Sequence, residues 1–373
     1  VMTPGPTQVK ENVRMARSLV CTNPDLDEDF VEFYKDTCEL ISSLLGTKNE
    51  TLILDGEGIL GLEAACASLT EPGDKVLIIE NGVYGEGFAD FVSMYGGVPE
   101  FYHADRLNAI DPDALSSYLK EHHDYKYATV VHCDTPSGML NPVEKICPLL
   151  KEYGILTVVD SVSGMFGNHM DVDKFQIDLL CGGSQKAVSA PPGLTFVTIS
   201  DAVKDAMHER KTPIRSFYAS LLAFEGYYEK KWFPYTMPIS DIYGLRAAFD
   251  NIASDPELEE RTHRIAEAAR RALTEAGLKL HLESGFSDTV TVFDIPTETT
   301  CDAILSRMKK EHNIMLAGSF DDLSGKVIRI GHMGNNANFE DMTATMYALS
   351  ETLTFLGVNL TGNLVGLFLK YYH

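Results

Sequence analysis

The chain has 373 residues, with 31 Lys or Arg against 54 Asp or Glu and a net charge of −23 at pH 7. Hydrophobic residues make up 45% and charged residues 23%, which argues against a mainly disordered chain and leaves room for two or three domains. The acidic balance argues against a nucleic-acid binder or an anionic-membrane binder, since both need a basic face.

Residues 1–6 carry Pro4-Gly5-Pro6, which resists helix formation, and read as extended, at the start of an N-terminal arm expected over 1–14. The segment to Thr22 lacks the apolar core of a signal peptide. Helical periodicity over 25–45 puts Phe30, Phe33, Tyr34, Cys38, Ile41 and Leu45 on one face. A strand at 52–54 leads to a helix at 56–69, and a strand at 75–80 to a helix at 85–94. Then come a helix at 111–121, a strand at 128–132, a helix at 143–152 and a strand at 155–159. Short strands at 179–181 and 194–199 follow. This alternation predicts a mostly parallel sheet covered by helices on both faces.

Residues 244–253 read as a helix leading to a second region, which opens with an amphipathic helix at 256–276. Strands at 289–293 and 327–330 then mix with helices at 302–310 and 339–356. The expected fold class is α/β, with a large domain over 15–254 and a smaller α+β domain over 255–373. The apolar stretch 353–369 is interrupted by Asn359, Thr361 and Asn363 and is too polar to span a bilayer. The seven cysteines form no Cys-x-x-Cys pair, which points to reduced thiols in a cytoplasmic protein rather than to a zinc site or disulfides. No metal site is expected at His132-Cys133-Asp134, because consecutive strand residues face opposite ways.

Two readings compete for the chemistry. Gly56-Glu57-Gly58-Ile59-Leu60-Gly61 matches G-x-G-x-x-G between a strand and a helix, with Glu80 19 residues past the last glycine. That is the setting of a dinucleotide fingerprint and would suit an NAD-dependent oxidoreductase. A helix start of this kind binds any anionic group, however. Further along, Val158-Val159-Asp160 ends a strand with a carboxylate, and Gly183-Ser184-Gln185-Lys186 places a lysine 26 residues later. Pyridoxal chemistry needs both: a lysine for a Schiff base and a carboxylate facing the pyridine nitrogen.

With these parts the sequence resembles the class V, fold-type I aminotransferases that depend on pyridoxal 5'-phosphate, in the alanine–glyoxylate and serine–pyruvate group. Within it the pyridoxamine–pyruvate branch is the most similar. The resemblance runs from Pro4-Gly5-Pro6 to His332-Met333-Gly334. It rests on Leu60-Gly61-Leu62-Glu63-Ala64-Ala65, Gly82-Val83-Tyr84-Gly85, Asp134-Thr135-Pro136-Ser137-Gly138, Ala190-Pro191-Pro192-Gly193-Leu194-Thr195 and Arg329-Ile330-Gly331.

The resemblance implies that Lys186 forms the Schiff base and moves the substrate proton, that Asp160 pairs with the pyridine nitrogen and that Tyr84 stacks on the ring. It implies that Thr135 lies near the ring's phenolic oxygen. Gly58, Ile59 and Gln185 would hold the phosphate, and Thr236 would reach the neighbouring subunit's phosphate site in a homodimer. Arg329 would hold the substrate carboxylate, and Gly5 would line the substrate pocket.

Three positions depart from the family. Glu57 stands where alanine–glyoxylate enzymes have a small hydroxyl residue, and like charges about 4 Å apart repel by roughly 4 kcal/mol at an effective dielectric near 20. The pyridoxamine–pyruvate branch also has glutamate there, so a pocket weakened for phosphate is one reading. The reading preferred here turns Glu57 outward and leaves the helix amides and Gln185 to the phosphate. Phe233 replaces a phosphate-binding tyrosine. Phe320 stands where the pyridoxamine–pyruvate branch has a second substrate arginine. The expected activity is transfer of an amino group from a small amino acid, such as alanine or serine, to pyruvate or glyoxylate. Transamination of unphosphorylated pyridoxamine is the alternative.

Overall fold

The structure, a computed structural model, describes residues 1–372. Its centre is a seven-stranded sheet built from Glu50–Asp55 (β1), Lys75–Glu80 (β2), Val98–His103 (β3), Tyr127–Val131 (β4), Leu156–Asp160 (β7), Leu179–Gly183 (β8) and Leu194–Ile199 (β9). Two short strands, Cys133–Asp134 (β5) and Met139–Leu140 (β6), form a hairpin just beyond β4. The sheet order is β1-β9-β8-β7-β4-β2-β3, and only β9 runs against its neighbours. The middle strands β4, β8 and β9 are buried at every position. They therefore read as continuous apolar runs rather than alternating ones, as a sheet covered on both faces requires.

Helices Glu11–Ala16 (α1), Glu28–Leu44 (α2), Gly58–Leu69 (α3), Val83–Met94 (α4), Pro112–Leu119 (α5), Val143–Glu152 (α6), Asp201–His208 (α7), Tyr227–Lys230 (α8) and Ile239–Ala253 (α9) surround the sheet. Their starts are written in the sequence: Asp27 accepts from the Asp29 N–H, Asp111 precedes Pro112 and accepts from Asp113, and Ser200 accepts from Val203. The remaining chain forms helices Leu258–Glu275 (α10), Cys301–His312 (α11), Phe339–Phe355 (α12) and Leu364–Tyr372 (α13), packed with the antiparallel pair Val290–Asp294 (β10) and Val327–Gly331 (β11). One hydrophobic core gathers residues from Val13 to Leu258 together with Met333, and a second gathers Met2 with residues from Ile265 to Phe368.

Several elements escape the periodicity reading, namely β3, α7 and α13 together with the short α1, α8 and the β5–β6 hairpin. β3 is an edge strand whose Pro99 and half-exposed Glu100 spoil the strand pattern. α7 has only two buried residues, Val203 and Met207, and α13 becomes a helix by packing on α10 and α12. The arm crosses between the two cores: the Met2 amide donates to Met315 O and the Gly331 amide to Met2 O, while the Thr7 amide donates to Gln185 O.

Candidate active site

The ends of the parallel strands converge on a cavity of about 290 Å³, lined by Gly5, Glu57, Gly58, Ile59, Tyr84, Thr135, Asp160, Gln185 and Lys186 among others. The C-terminal edge of such a sheet is where α/β folds bind ligands, because each strand there delivers a loop or a helix start. β7 delivers Asp160, β8 delivers Gln185 and Lys186, β2 leads to Tyr84, and β1 leads to Glu57 and Gly58 at the start of α3.

Lys186 lies deep in this cavity. Its Nζ donates to Pro4 O at 2.7 Å, and Thr7 Oγ1 donates to Lys186 O at 2.9 Å, so the arm covers the lysine. Burial, reinforced by the nearby Arg329 cation, lowers its amine to about 8. Gly5 is needed for this contact. A Cβ there would stand 2.4 Å from Lys186 Cδ, and its φ of +104° also disfavours any side chain. Asp160 is buried, and the loss of solvent raises its carboxyl to about 7, although Oδ1 accepts from the Val162 N–H at 2.9 Å.

Tyr84 is positioned by Asp134, a residue the sequence reading passed over. The buried Asp134 carboxylate accepts from the Tyr84 N–H at 3.2 Å and from Ser137 Oγ at 2.6 Å. Gly82 exists because a Cβ there would stand 2.4 Å from Asp134 Cγ. The Thr135 hydroxyl pairs with Ser163, and its carbonyl accepts from Arg329 Nη1 at 3.3 Å. Ser163, Val162 and Cys133 also line the cavity without being named as site residues from the sequence, as do Leu62 and Pro192, which belong to the motifs that carry the resemblance.

Arg329 sits on β11 at the rim, half-buried. Its Nε donates to Gly318 O at 2.5 Å, and it forms no ion pair among the described residues. Its hydrogen bonds go to the Gly318 and Thr135 carbonyls, so no carboxylate among the described residues neutralises its charge.

Glu57 corrects the sequence reading. The residue is exposed, but its carboxylate folds over the helix start on the cavity wall: Oε1 accepts from the Ile59 N–H at 3.1 Å and Oε2 from Gln185 Nε2 at 3.0 Å. As the cap of α3 it takes the position of greatest anion attraction on that helix. Gln185 Oε1 is left buried without a partner. Thr236 is exposed and is not part of this chain's cavity lining, and Phe233 is buried between Tyr34 and Tyr227. Glu80, the acid of the dinucleotide reading, is committed elsewhere. It pairs with His103 Nδ1 at 2.5 Å and Arg106 Nη2 at 3.4 Å.

Residues 9–318 match the sequence profile of the aminotransferases of class V. The chain belongs to that family. This aminotransferase is 31% identical to the pyridoxamine–pyruvate transaminase of Mesorhizobium japonicum, over 89% of the chain and 86% of the relative. It is 30% identical to the alanine–glyoxylate aminotransferase of Callithrix jacchus, over 95% and 87%. Its structure superposes on the ureidoglycine–glyoxylate aminotransferase of Bacillus subtilis with a TM-score of 0.95 at 28% identity, covering 100% of the chain and 97% of that structure. The aminotransferase therefore has the fold-type I architecture, its cofactor is pyridoxal 5'-phosphate, and the oxidoreductase reading falls.

The cavity suits the pyridoxal part of that cofactor, with a buried amine, a buried carboxylate lacking a cation and an aromatic side chain around one space. A phosphate would fit only once the Glu57 carboxylate leaves the α3 amide. No helix among the described residues is long and apolar enough to cross a membrane.

Proposed function

We propose that this aminotransferase moves an amino group from a small amino acid, such as alanine or serine, to pyruvate or glyoxylate. The observation that carries the reading is the Arg329 guanidinium, without an ion pair among the described residues, which donates to the carbonyl of Thr135 on the wall of the cavity that holds the Lys186 amine. Arg329 would bind the carboxylate shared by donor and acceptor and so orient the donor Cα toward Lys186. Lys186, the proposed Schiff-base lysine, would take the proton from that Cα and return it in the reverse half-reaction; an amine near 8 can do both at neutral pH. Asp160 would hold a proton on the pyridine nitrogen. Tyr84, Thr135, Gly58, Ile59 and Gln185 would seat the cofactor, and Gly5 would close the pocket from the arm. Pyridoxal phosphate, when bound, supplies the carbonyl that carries the amino group and the electron sink for the substrate carbanion.

The reading extends to an arm over 1–14, a cofactor domain over 15–254 and a small domain over 255–373, a division supported by the two cores. A homodimer with Thr236 reaching the partner's phosphate site agrees with its exposure, and seven free cysteines agree with a cytoplasmic location.

The Glu57 geometry favours a second reading, transamination of unphosphorylated pyridoxamine. Glu57 already satisfies Ile59 N–H and Gln185 Nε2, and Gln185 Oε1 waits for a donor, which a neutral hydroxymethyl group offers and a phosphate does not.

One experiment tests both readings. The visible band of the protein is followed with pyridoxal phosphate and with free pyridoxal, each against alanine, serine and aspartate. Loss of the band with the phosphate form and alanine or serine supports the first reading. Turnover confined to the free vitamin moves the function to the second, and no change with any pair rejects both.

A further inference from the structure

We infer that Phe320 sets the specificity of this site for donors and acceptors with a single carboxylate, by walling off the place where a second acidic group would lie. The inference rests on the amino-acid reading of the site. Phe320 belongs to the small-domain loop before β11, is 39% exposed, and stands between the two groups that face the mouth. Its ring centroid lies 6.1 Å from that of Tyr84, edge-on at 79°, and 5.8 Å from Arg329 Cζ.

The loop is anchored on the large domain at two points. Ser319 Oγ donates to Pro136 O at 3.2 Å, and Asp322 pairs with Arg106 Nη1 at 3.1 Å. Arg106 is itself spent, since Glu86 at 2.6 Å and Glu80 at 3.4 Å also hold it. Lys186 is the one basic residue lining the cavity among the described residues, so Arg329 is left as the free cation for substrate carboxylates. The other carboxylates here are Asp321, Asp322, which Arg106 matches, and Glu57. A donor with a carboxylate side chain would lay that charge against an aromatic ring in an acidic field, desolvated and unpaired. A methyl or hydroxymethyl side chain brings no charge to desolvate there.

The test is made on the loaded enzyme with two readouts. The first is the shift of the cofactor's visible band on titration with propionate and with succinate, which react with nothing. Propionate should bind more tightly by roughly 10-fold, and Phe320→Arg should reverse that order. The second is the ratio of kcat/KM for aspartate to that for alanine. It should be low, on the order of 0.01, and should rise by at least roughly 10-fold in Phe320→Arg. Phe320→Gln, which removes the ring without adding a charge beside Arg329, should raise the aspartate-to-alanine ratio, but by less than Phe320→Arg does. Equal affinity for propionate and succinate, or wild-type use of aspartate on a par with alanine, overturns the role of Phe320 while leaving the aminotransferase reading intact. Turnover with no amino acid overturns that reading instead, and the titrations still judge Phe320.

Discussion

Lys186 and Asp160 are opposite cases of one physical effect. Both are buried, and burial disfavours whichever form is charged, so the amine falls to about 8 and the carboxyl rises to about 7. The first consequence is kinetic. Uptake of pyridoxal phosphate by the cofactor-free protein should accelerate as pH rises through about 8, because only the neutral amine attacks a carbonyl. Stopped-flow absorbance from pH 6 to 9 measures this, and Lys186→Ala should abolish both uptake and turnover while circular dichroism stays native. The second consequence is thermodynamic. With its carboxyl raised, native Asp160 keeps a proton that the unfolded chain releases between about 4 and 7, so its contribution to stability is lost as pH rises through that window. Asp160→Asn should therefore make the cofactor-free protein more stable than wild type at pH 8, by roughly 1–3 kcal/mol, with the difference shrinking toward pH 4. Denaturant titration at the two pH values shows the sign.

At the scale of elements, the site depends on backbone passing unusually close to side chains. Residues 4–6 of the arm lie on Lys186, with Pro4 O accepting from its Nζ at 2.7 Å. Gly5→Ala would force a methyl group into the lysine side chain at a φ where L residues are strained. It should lower kcat by roughly 10-fold or more while costing only about 1–2 kcal/mol of stability, since the arm rather than the sheet yields. Steady-state kinetics beside thermal unfolding separates the two effects, and an unchanged kcat would show that the arm does not position Lys186. Element boundaries repeat the lesson. α6 and β9 fall where the periodicity puts them, whereas α4 starts two residues early, at Val83, because the Asp134 carboxylate accepts the Tyr84 N–H from outside the helix.

For the whole molecule, the open question is what covers the face that bears Thr236. Phe217, Tyr218 and Trp232 are exposed on the same stretch of chain, with Tyr218 stacked on Tyr235 at 4.3 Å. Exposed aromatics in such density mark an interface. Sedimentation should therefore give a dimer of about twice 41.2 kDa. Thr236→Ala should leave that mass unchanged and weaken retention of pyridoxal phosphate by roughly 3- to 10-fold, the cost of about one hydrogen bond to a charged group.

The family is implied by resemblance to known sequences, while composition and order alone point to a large acidic α/β chain, most of its elements and the Asp160 to Lys186 pairing of chemistry. These rest on local periodicity, turn residues and motif spacing, which need no knowledge of neighbours distant in the chain. Three matters belong to the tertiary structure. Glu57 reads as an outward-facing charge until α3 and the loop after β8 bring the Ile59 amide and Gln185 within 3.1 Å of its carboxylate. Asp134 carries no site role in the sequence, where it is only the end of a His132-Cys133-Asp134 run and the start of a motif, until its burial beneath Gly82 makes it the anchor of Tyr84. Phe320 and Arg106 lie 214 residues apart in sequence, and only the packing of the loop before β11 on the segment after β3 sets the Phe320 ring beside Tyr84 and fastens its loop through Asp322 and Arg106. Each depends on which groups lose water together, and that is decided by packing between segments far apart in the chain.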